Sequence, residues 1–309
     1  MTQIGLMIEG QDGLNWPRWQ RILQAAEDLG FAFVFRSDHY ANSSGPEKDS
    51  LELFTSLTYA ASQTKRIEFG SMVAPVTFRQ PAMTARVGAQ IDDLSNGRMT
   101  LGLGAGWNEY EHRMFGVPFY DVPTRYVMFT DALEITKRLL ESSEPVSYQG
   151  KHFSLENAIL LPRPQRKTPI LIGGNGPNKT LPLAAKYADE WNGVYLNAST
   201  YRERSTRLDE LLTQRGRDPK AVKRSLMTRV LVGRDDAHLK SVLREGETPD
   251  SLFQRGVIAG TPSQVIDQIG QFGQSGVQRF MLQWLDQDDI AGLELLSREV
   301  LPHFHTAKV

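Results

Sequence analysis

An aspartate and a histidine stand side by side in the stretch FRSDHY, at Asp38 and His39. The stretch follows a short aromatic and β-branched run, so both side chains are expected at the end of a strand. A carboxylate that orients an imidazole supports proton transfer near pH 7. We therefore predict that His39 is a catalytic acid or base and that Asp38 orients it. The alternative is that Asp38 caps a helix or bonds a loop.

Three alternating glycines occupy LGLGAGWNEYE, at Gly102, Gly104 and Gly106. A dinucleotide fingerprint needs G-x-G-x-x-G, and here Trp107 stands in the place of the third glycine. A strand end without Cβ atoms lets a flat ligand lie against the backbone. We predict such contacts at Gly104, Ala105 and Gly106, whereas tight strand packing is the alternative for Gly102.

A second glycine run, ILIGGNGPNKTL, opens directly onto a predicted helix. Backbone N–H groups at a helix N-terminus bind phosphate well, and the lysine and threonine that follow add donors. The spacing is not that of a Walker loop, and a plain turn is the alternative. The predicted phosphate contacts are Gly173, Gly174, Asn175, Gly176, Lys179 and Thr180.

Metal and nucleophilic chemistry find little support. The six histidines form no H-E-x-x-H or comparable cluster, and no G-x-S-x-G is present. Cysteine is absent, which excludes disulfides, thiolate nucleophiles and cysteine-based metal sites. We predict no metal site.

Strand-like and helix-like segments alternate along the chain. The predicted strands are 4–8, 31–35, 67–73, 99–103, 170–172, 193–196, 226–232 and 279–285. Each is followed by a helical pattern, and such alternation indicates a parallel sheet with helices outside it. Eight units at 309 residues fit a single (β/α)8 TIM barrel spanning 1–309, with loop insertions near 141–167 and 245–260. The alternative is an open, doubly wound sheet.

The totals favour a cytoplasmic globular protein. The formal net charge of −1 argues against nucleic acid or an anionic membrane as the main partner. No apolar run reaches the roughly 18 residues of a membrane helix, and the N-terminus does not resemble a signal peptide.

Four strand ends together carry a resemblance. FRSDHY, GSMVAPVTFRQP, LGLGAGWNEYEHRMFGVPF and PILIGGNGPNKTLPLAAKYADEWN, in this order, resemble the bacterial luciferase-like flavin and deazaflavin oxidoreductases. The wording is most similar to the branch that uses coenzyme F420 (8-hydroxy-5-deazaflavin). The match spans roughly residues 1–195 and is thin beyond residue 200.

The resemblance implies a TIM barrel, a homodimer and a ring bound at the carboxyl face of the barrel. It places a non-prolyl cis peptide behind the ring, which corresponds to Met72–Val73 with Ser71 beside it. It maps the glycine run at 173–176 onto the cofactor phosphate and the stretch 104–107 onto the strand-four loop. Sugar-phosphate dehydrogenases of the family carry a catalytic carboxylate after the last glycine, where this chain has Trp107. A more apolar substrate pocket is therefore expected, formed by Tyr40, Trp107 and Trp191.

The implied reaction is hydride transfer between F420 and a small, fairly apolar organic substrate. The main alternative is an FMN-dependent monooxygenase that receives reduced flavin from a separate reductase and uses O2. A non-catalytic flavin carrier and a cofactor-free barrel lyase or hydrolase are further alternatives.

Overall fold

A closed barrel of parallel strands forms the centre of the computed structural model, which describes residues 2–42 and 45–304. The strands are β1 (Gln3–Ile8), β2 (Phe33–Arg36), β3 (Glu68–Ser71), β4 (Ala74–Pro75), β5 (Met99–Gly104), β6 (Val146–Gln149), β7 (Ser154–Ala158), β8 (Ile170–Gly173), β9 (Glu190–Val194), β10 (Lys223–Val232), β11 (Ile258–Gly260) and β12 (Arg279–Gln283). The helices are α1 (Trp16–Asp28), α2 (Leu53–Gln63), α3 (Pro81–Leu94), α4 (Glu109–Met114), α5 (Val122–Glu141), α6 (Thr180–Tyr187), α7 (Ala198–Gln214), α8 (Asp236–Val242), α9 (Pro249–Gln254), α10 (Pro262–Gln274) and α11 (Ile290–Glu299).

The barrel order is β1, β2, β3, β5, β8, β9, β10 and β12, with β12 pairing back onto β1. All of these pairings are parallel. Closure confirms the predicted TIM barrel and rules out the open sheet. It also brings the carboxyl ends of all eight strands to one mouth, where βα loops build active sites.

Local signals explain where the outer helices begin. Asn15 caps α1 by accepting a hydrogen bond from the Arg18 N–H, and α3 starts at Pro81, whose missing N–H would have no partner in a first turn.

Two apolar layers hold the barrel together. One layer packs the outer strand faces against the helices. The other fills the barrel interior and consists of Met7, Phe33, Phe35, Met72, Leu171, Met227 and Met281. The inner layer supports the floor of the mouth, because Met7, Met72 and Met227 also face the cavity described below.

Strand β9 begins three residues before the predicted strand 193–196. Its sequence, EWNGV, has buried polar side chains that an apolar pattern does not reveal. The Glu190 carboxylate pairs with Arg279, and the Asn192 amide donates to Ser225 Oγ at 2.9 Å.

The two predicted insertions have structure of their own. Region 141–167 contains the antiparallel hairpin of β6 and β7 and a cis Leu161–Pro162 bond. Region 245–260 contains α9 and β11, and β11 pairs with β10 outside the closed barrel.

An ion-pair cluster around the buried Arg279 lies at the amino end of the barrel. Arg279 donates to Glu190 at 2.5 Å and to Glu68 at 2.6 Å, and its guanidinium lies 4.2 Å from the Phe33 ring centroid.

Within the described ranges, no helix has the length and apolarity needed to cross a membrane.

Candidate functional site

A cavity of about 570 Å³ opens at the carboxyl ends of the strands, and we call it the mouth cavity. Most of the predicted site residues line it: His39, Met72, Val73, Gly104, Ala105, Gly106, Trp107, Gly173, Gly174, Asn175, Gly176 and Thr180. The strand-end segments that the sequence singles out therefore meet in one place. The volume is in the ordinary range for a small-molecule or cofactor site.

His39 forms an acid–base pair with the buried carboxylate of Glu111. The Nδ1 atom of His39 lies 2.8 Å from Glu111 Oε2, and the Glu111 side chain is only 1% exposed. The other oxygen of Glu111 accepts the backbone N–H groups of Tyr40 and Ala41. With Nδ1 held by a carboxylate, Nε2 is the nitrogen left for the cavity, because it has no partner among the described residues.

The pair shifts the titration of both groups. Burial disfavours the imidazolium, but the hydrogen bond and the charge of Glu111 outweigh it and raise the pKa of His39 above 6.5. Burial also disfavours the Glu111 carboxylate, yet His39 and the two backbone donors lower the pKa of Glu111 below 4.5. The arrangement favours the charged pair, in which a protonated His39 is hydrogen-bonded to an ionised Glu111 at the edge of the cavity.

Asp38 does not orient His39, contrary to the prediction. Its carboxylate is buried and binds Arg79 in a bidentate pair, at 2.5 and 3.1 Å. Consecutive residues at a strand end point in different directions, so Asp38 turns away from the cavity that His39 faces. The orienting contact comes from Glu111, 72 residues along the chain.

The alternating glycines make room for a neighbouring segment. A Cβ on Gly102 would lie 2.0 Å from the Ser71 carbonyl oxygen, and one on Gly104 would lie 2.5 Å from Val73. Gly102 therefore has the tight strand packing that was its alternative explanation, whereas Gly104 packs against Val73 and also lines the cavity. Gly106 has φ +76°, a conformation that favours glycine.

The Met72–Val73 peptide bond is cis, as the resemblance implied. Both residues line the mouth cavity. Ser71 does not reach it, because its hydroxyl is buried and exchanges two hydrogen bonds with the backbone of Gly102, each 2.8 Å long. Ser71 therefore ties β3 to β5 behind the cavity wall.

The second glycine run forms a loop with free donors. The N–H groups of Asn175 and Gly176 have no acceptor among the described residues, and both residues line the cavity. Thr180 is the first residue of α6, and its hydroxyl lies 3.0 Å from the hydroxyl of Tyr126 on α5. Two free amides and a hydroxyl beside a helix N-terminus suit a phosphate. Lys179 does not line the cavity, and its ammonium lies 5.0 Å from the centroid of the Tyr126 ring.

The predicted aromatic pocket is only partly present. Trp107 lines the cavity, is 64% exposed and meets the His39 ring edge-on at 5.3 Å. Trp191 is fully buried, stacks on Tyr201 and donates to the Gly174 carbonyl. Tyr40 also lies outside the cavity, because its hydroxyl binds Arg79.

Several cavity residues were missed by the sequence reasoning. The most polar group is a chain in which the Tyr195 hydroxyl donates to Gln283, and the Gln283 amide donates to Glu9 at 2.6 Å. Burial raises the pKa of Tyr195 to about 12, so this phenol stays a donor. These residues lie at or just beyond the carboxyl ends of β9, β12 and β1, and strand-end position was the signal that could have found them. The others are Met7, Ser37, Pro75, Tyr126, Val194 and Met227.

No cluster of three or more His, Asp or Glu side chains within 2–42 and 45–304 is placed to hold a metal ion.

Comparisons with known proteins add a family and a set of relatives. A family model described as luciferase-like monooxygenase matches residues 2–247. An F420-dependent glucose-6-phosphate dehydrogenase of Intrasporangium calvum is 24% identical, over 90% of this chain and 91% of that protein. A 5,10-methylenetetrahydromethanopterin reductase of Archaeoglobus fulgidus is 26% identical, over 96% of this chain and 98% of that protein.

Solved structures share the fold at lower identity. An F420-dependent secondary alcohol dehydrogenase in complex with an F420-acetone adduct superposes with a TM-score of 0.85, at 22% identity and 99% coverage of both chains. The oxygenating constituent of a 3,6-diketocamphane monooxygenase from Pseudomonas putida, in complex with FMN, gives 0.78 at 18% identity, over 98% of this chain and 99% of that one.

Proposed function

This chain belongs to the luciferase-like monooxygenase family, and we propose that it is an oxidoreductase that transfers a hydride between F420 and a small organic substrate. The observation that carries the proposal is the mouth cavity, which combines the His39–Glu111 pair with a glycine loop that has free N–H donors. The F420-dependent glucose-6-phosphate dehydrogenase, which this chain matches over 91% of that protein's length, supports the choice of cofactor.

The residues present fit a flat cofactor with a phosphate. Met72 and Val73 offer an apolar wall for a ring, beside Gly104. The free amides of Asn175 and Gly176 and the hydroxyl of Thr180 would hold the phosphate. F420 would supply the ring that accepts or gives the hydride, and the protein supplies orientation and proton handling.

His39 handles the proton in this proposal. Its Nδ1–H stays on Glu111, which fixes the ring orientation, so the proton that moves is the one on Nε2. The raised pKa of His39 favours the protonated form of Nε2, which can donate when a carbonyl or alkene is reduced. The same atom accepts a proton when an alcohol is oxidised.

The second candidate is an FMN-dependent monooxygenase that receives reduced flavin from a separate reductase. The family model that matches this chain is described as a luciferase-like monooxygenase. The diketocamphane monooxygenase constituent, whose structure contains FMN, shares the fold. The glycine loop would hold the FMN phosphate equally well, so the loop does not separate the two candidates.

Turnover under two conditions tests the proposal. Without oxygen, the protein is mixed with F420 and a panel of small secondary alcohols, or with reduced F420 and ketones, activated alkenes and imines, while the deazaflavin absorbance is followed. With oxygen, it is given reduced FMN and the same compounds, while substrate-linked O2 uptake is followed. Anaerobic F420 turnover supports the proposal, and O2-dependent turnover with FMN alone would replace it with the second candidate.

A homodimer is also proposed, and the cytoplasmic location stays a prediction. Large apolar side chains are exposed at Trp107, Tyr110, Met114, Phe115, Tyr120 and Val122. All six residues lie in the segment 107–122, which follows the cavity-lining strand end at 104–106, and they give a second copy an apolar surface to bury. Light scattering after size exclusion measures the mass, and a monomer at micromolar concentration would contradict the dimer.

A further inference from the structure

Arg229 lies on β10, the seventh strand of the barrel, near its carboxyl end. It is the parallel register partner of Gln283 on β12, the eighth strand. Neighbouring residues of paired strands point to the same face of a sheet, and Gln283 points into the mouth cavity. The side chain of Arg229 therefore rises on the mouth side, between the ends of the last two barrel strands.

This arginine is partly buried and has no partner. Its guanidinium forms no hydrogen bond or ion pair with any residue in 2–42 or 45–304. By contrast, Arg224 on the same strand binds Asp209 at 2.5 Å. A guanidinium taken partly out of water is costly without a partner, so an unpaired one beside a cavity indicates a ligand.

The carboxylates that share a cavity with Arg229 do not form an ion pair with it. A second cavity of about 320 Å³, which we call the side cavity, is lined by Arg229 together with Trp284, Asp286 and Asp289. Each of the two aspartates accepts a backbone N–H close to it in sequence, and neither pairs with Arg229. On the mouth side, the positive charge of Arg229 reaches the Tyr195 phenol and acts to lower its pKa, against the larger effect of burial.

We propose that Arg229 binds an oxyanion of the substrate, so that the substrate is a small organic acid or a phosphate ester. This inference rests on the proposed function, and it names the class of substrate for the same site. TIM barrels commonly bind phosphate at the loops after strands seven and eight, and Arg229 lies on strand seven, three residues before its carboxyl end. The cofactor phosphate already has the loop at 173–176, so the oxyanion at Arg229 belongs to the substrate. The substrate then has a reactive end near His39 and a charged end near Gln283.

Probe binding to the full-length protein without cofactor tests the inference. The probes are benzoate, phenyl phosphate and the neutral isostere benzamide, titrated by ligand-observed NMR. The variants are Arg229→Gln, Arg229→Lys and the control Arg234→Gln, which removes an exposed charge on the following loop. Thermal melts of each variant establish that it is folded.

At least one anionic probe is expected to bind the wild type more tightly than benzamide does. Arg229→Gln should weaken that probe by about 10–100-fold, because a hydrogen bond to a charged group is lost. Arg229→Lys should fall between the two, since it keeps the charge but not the planar fork, and Arg234→Gln should have no effect. Tighter binding of benzoate indicates a carboxylate, and tighter binding of phenyl phosphate indicates a phosphate ester.

Equal affinity for benzamide and both anions would overturn the inference. Anion binding that persists in folded Arg229→Gln would also overturn it, because the anion would then sit elsewhere, for example on the loop at 173–176. Failure of F420 and FMN to bind would overturn the proposed function instead. The two failures are distinct, because the probe titration contains no cofactor.

Discussion

The two ends of the barrel treat their charged groups differently. At the amino end, Arg279 is bound by Glu190 and Glu68 and is almost fully buried. At the mouth, the Arg229 guanidinium and the Nε2 atom of His39 have no partner among the described residues. Arg279 therefore holds strands together at the amino end. At the carboxyl end Arg79 is also paired, with Asp38, but Arg229 and Nε2 of His39 remain without a protein partner. This division is typical of TIM barrels, in which function gathers at the carboxyl face.

The largest effect on turnover is expected from His39→Ala, at the mouth end of the barrel. Loss of a general acid or base should lower turnover by about 10²–10⁴-fold. Affinity for F420 should stay unchanged, because the side chain is not part of the phosphate loop. The melting temperature should fall, because the buried Glu111 carboxylate loses its charged partner. Steady-state rates and cofactor titrations measure the split, with His303→Ala as an exposed control. Wild-type turnover in His39→Ala would reject the catalytic role.

Arg279→Ala should have the opposite signature. Removing one partner of a buried ion pair leaves uncompensated charge, and the free energy of unfolding should fall by about 3–5 kcal/mol. Turnover per folded molecule should not change, since Arg279 is at the other end of the barrel. Chemical denaturation measures the loss. The matched control is Arg298→Ala, which breaks an exposed pair with Glu299 and should cost less than about 1 kcal/mol.

A change in pH dependence is expected from Glu111→Gln. Without the carboxylate, burial dominates, so the pKa of His39 should fall and the pH profile of turnover should shift to lower pH. Glu109→Gln, on the same helix and exposed, is the control. A pH profile that is the same in Glu111→Gln and wild type would show that Glu111 does not set the titration of His39.

The same pair predicts how stability depends on pH. The folded pKa of His39 is raised, so its contribution is full below 6.5 and is lost as the pH rises through the raised pKa. The folded pKa of Glu111 is lowered, so its contribution is present above 4.5 and is lost as the pH falls through the lowered pKa. The stability difference between wild type and Glu111→Gln should therefore be largest between pH 4.5 and 6.5. A difference independent of pH would contradict this.

The smallest effect is expected from Trp107→Ala. The indole is mostly exposed and touches His39 only edge-on, so we expect KM to rise several-fold with little change in kcat. Met114→Ala, an exposed apolar residue further along the same segment, is the control. An unchanged KM would remove Trp107 from the substrate pocket.

The sequence predicted the barrel because apolar periodicity marks strands and helices. It misplaced the start of β9, since Glu190 and Asn192 are polar residues whose partners lie on other strands. Strand-end position likewise identified His39 but not its partner. Glu111 is distant along the chain, and nothing in the stretch NEYEH distinguishes it from Glu109 until the loops are folded. The glycines marked the mouth correctly. Gly102, however, is needed because a Cβ there would collide with the Ser71 backbone, and only the tertiary structure shows that contact.

Binding of F420 in the mouth cavity is tested most directly by a parallel fluorescence titration of the protein with F420 and FMN. We expect saturable binding of F420 at micromolar or lower concentration. We also expect the same F420 affinity in Arg298→Ala, because that substitution is far from the mouth. Tight binding of FMN alone, or of neither compound, would contradict the proposal that the mouth binds F420.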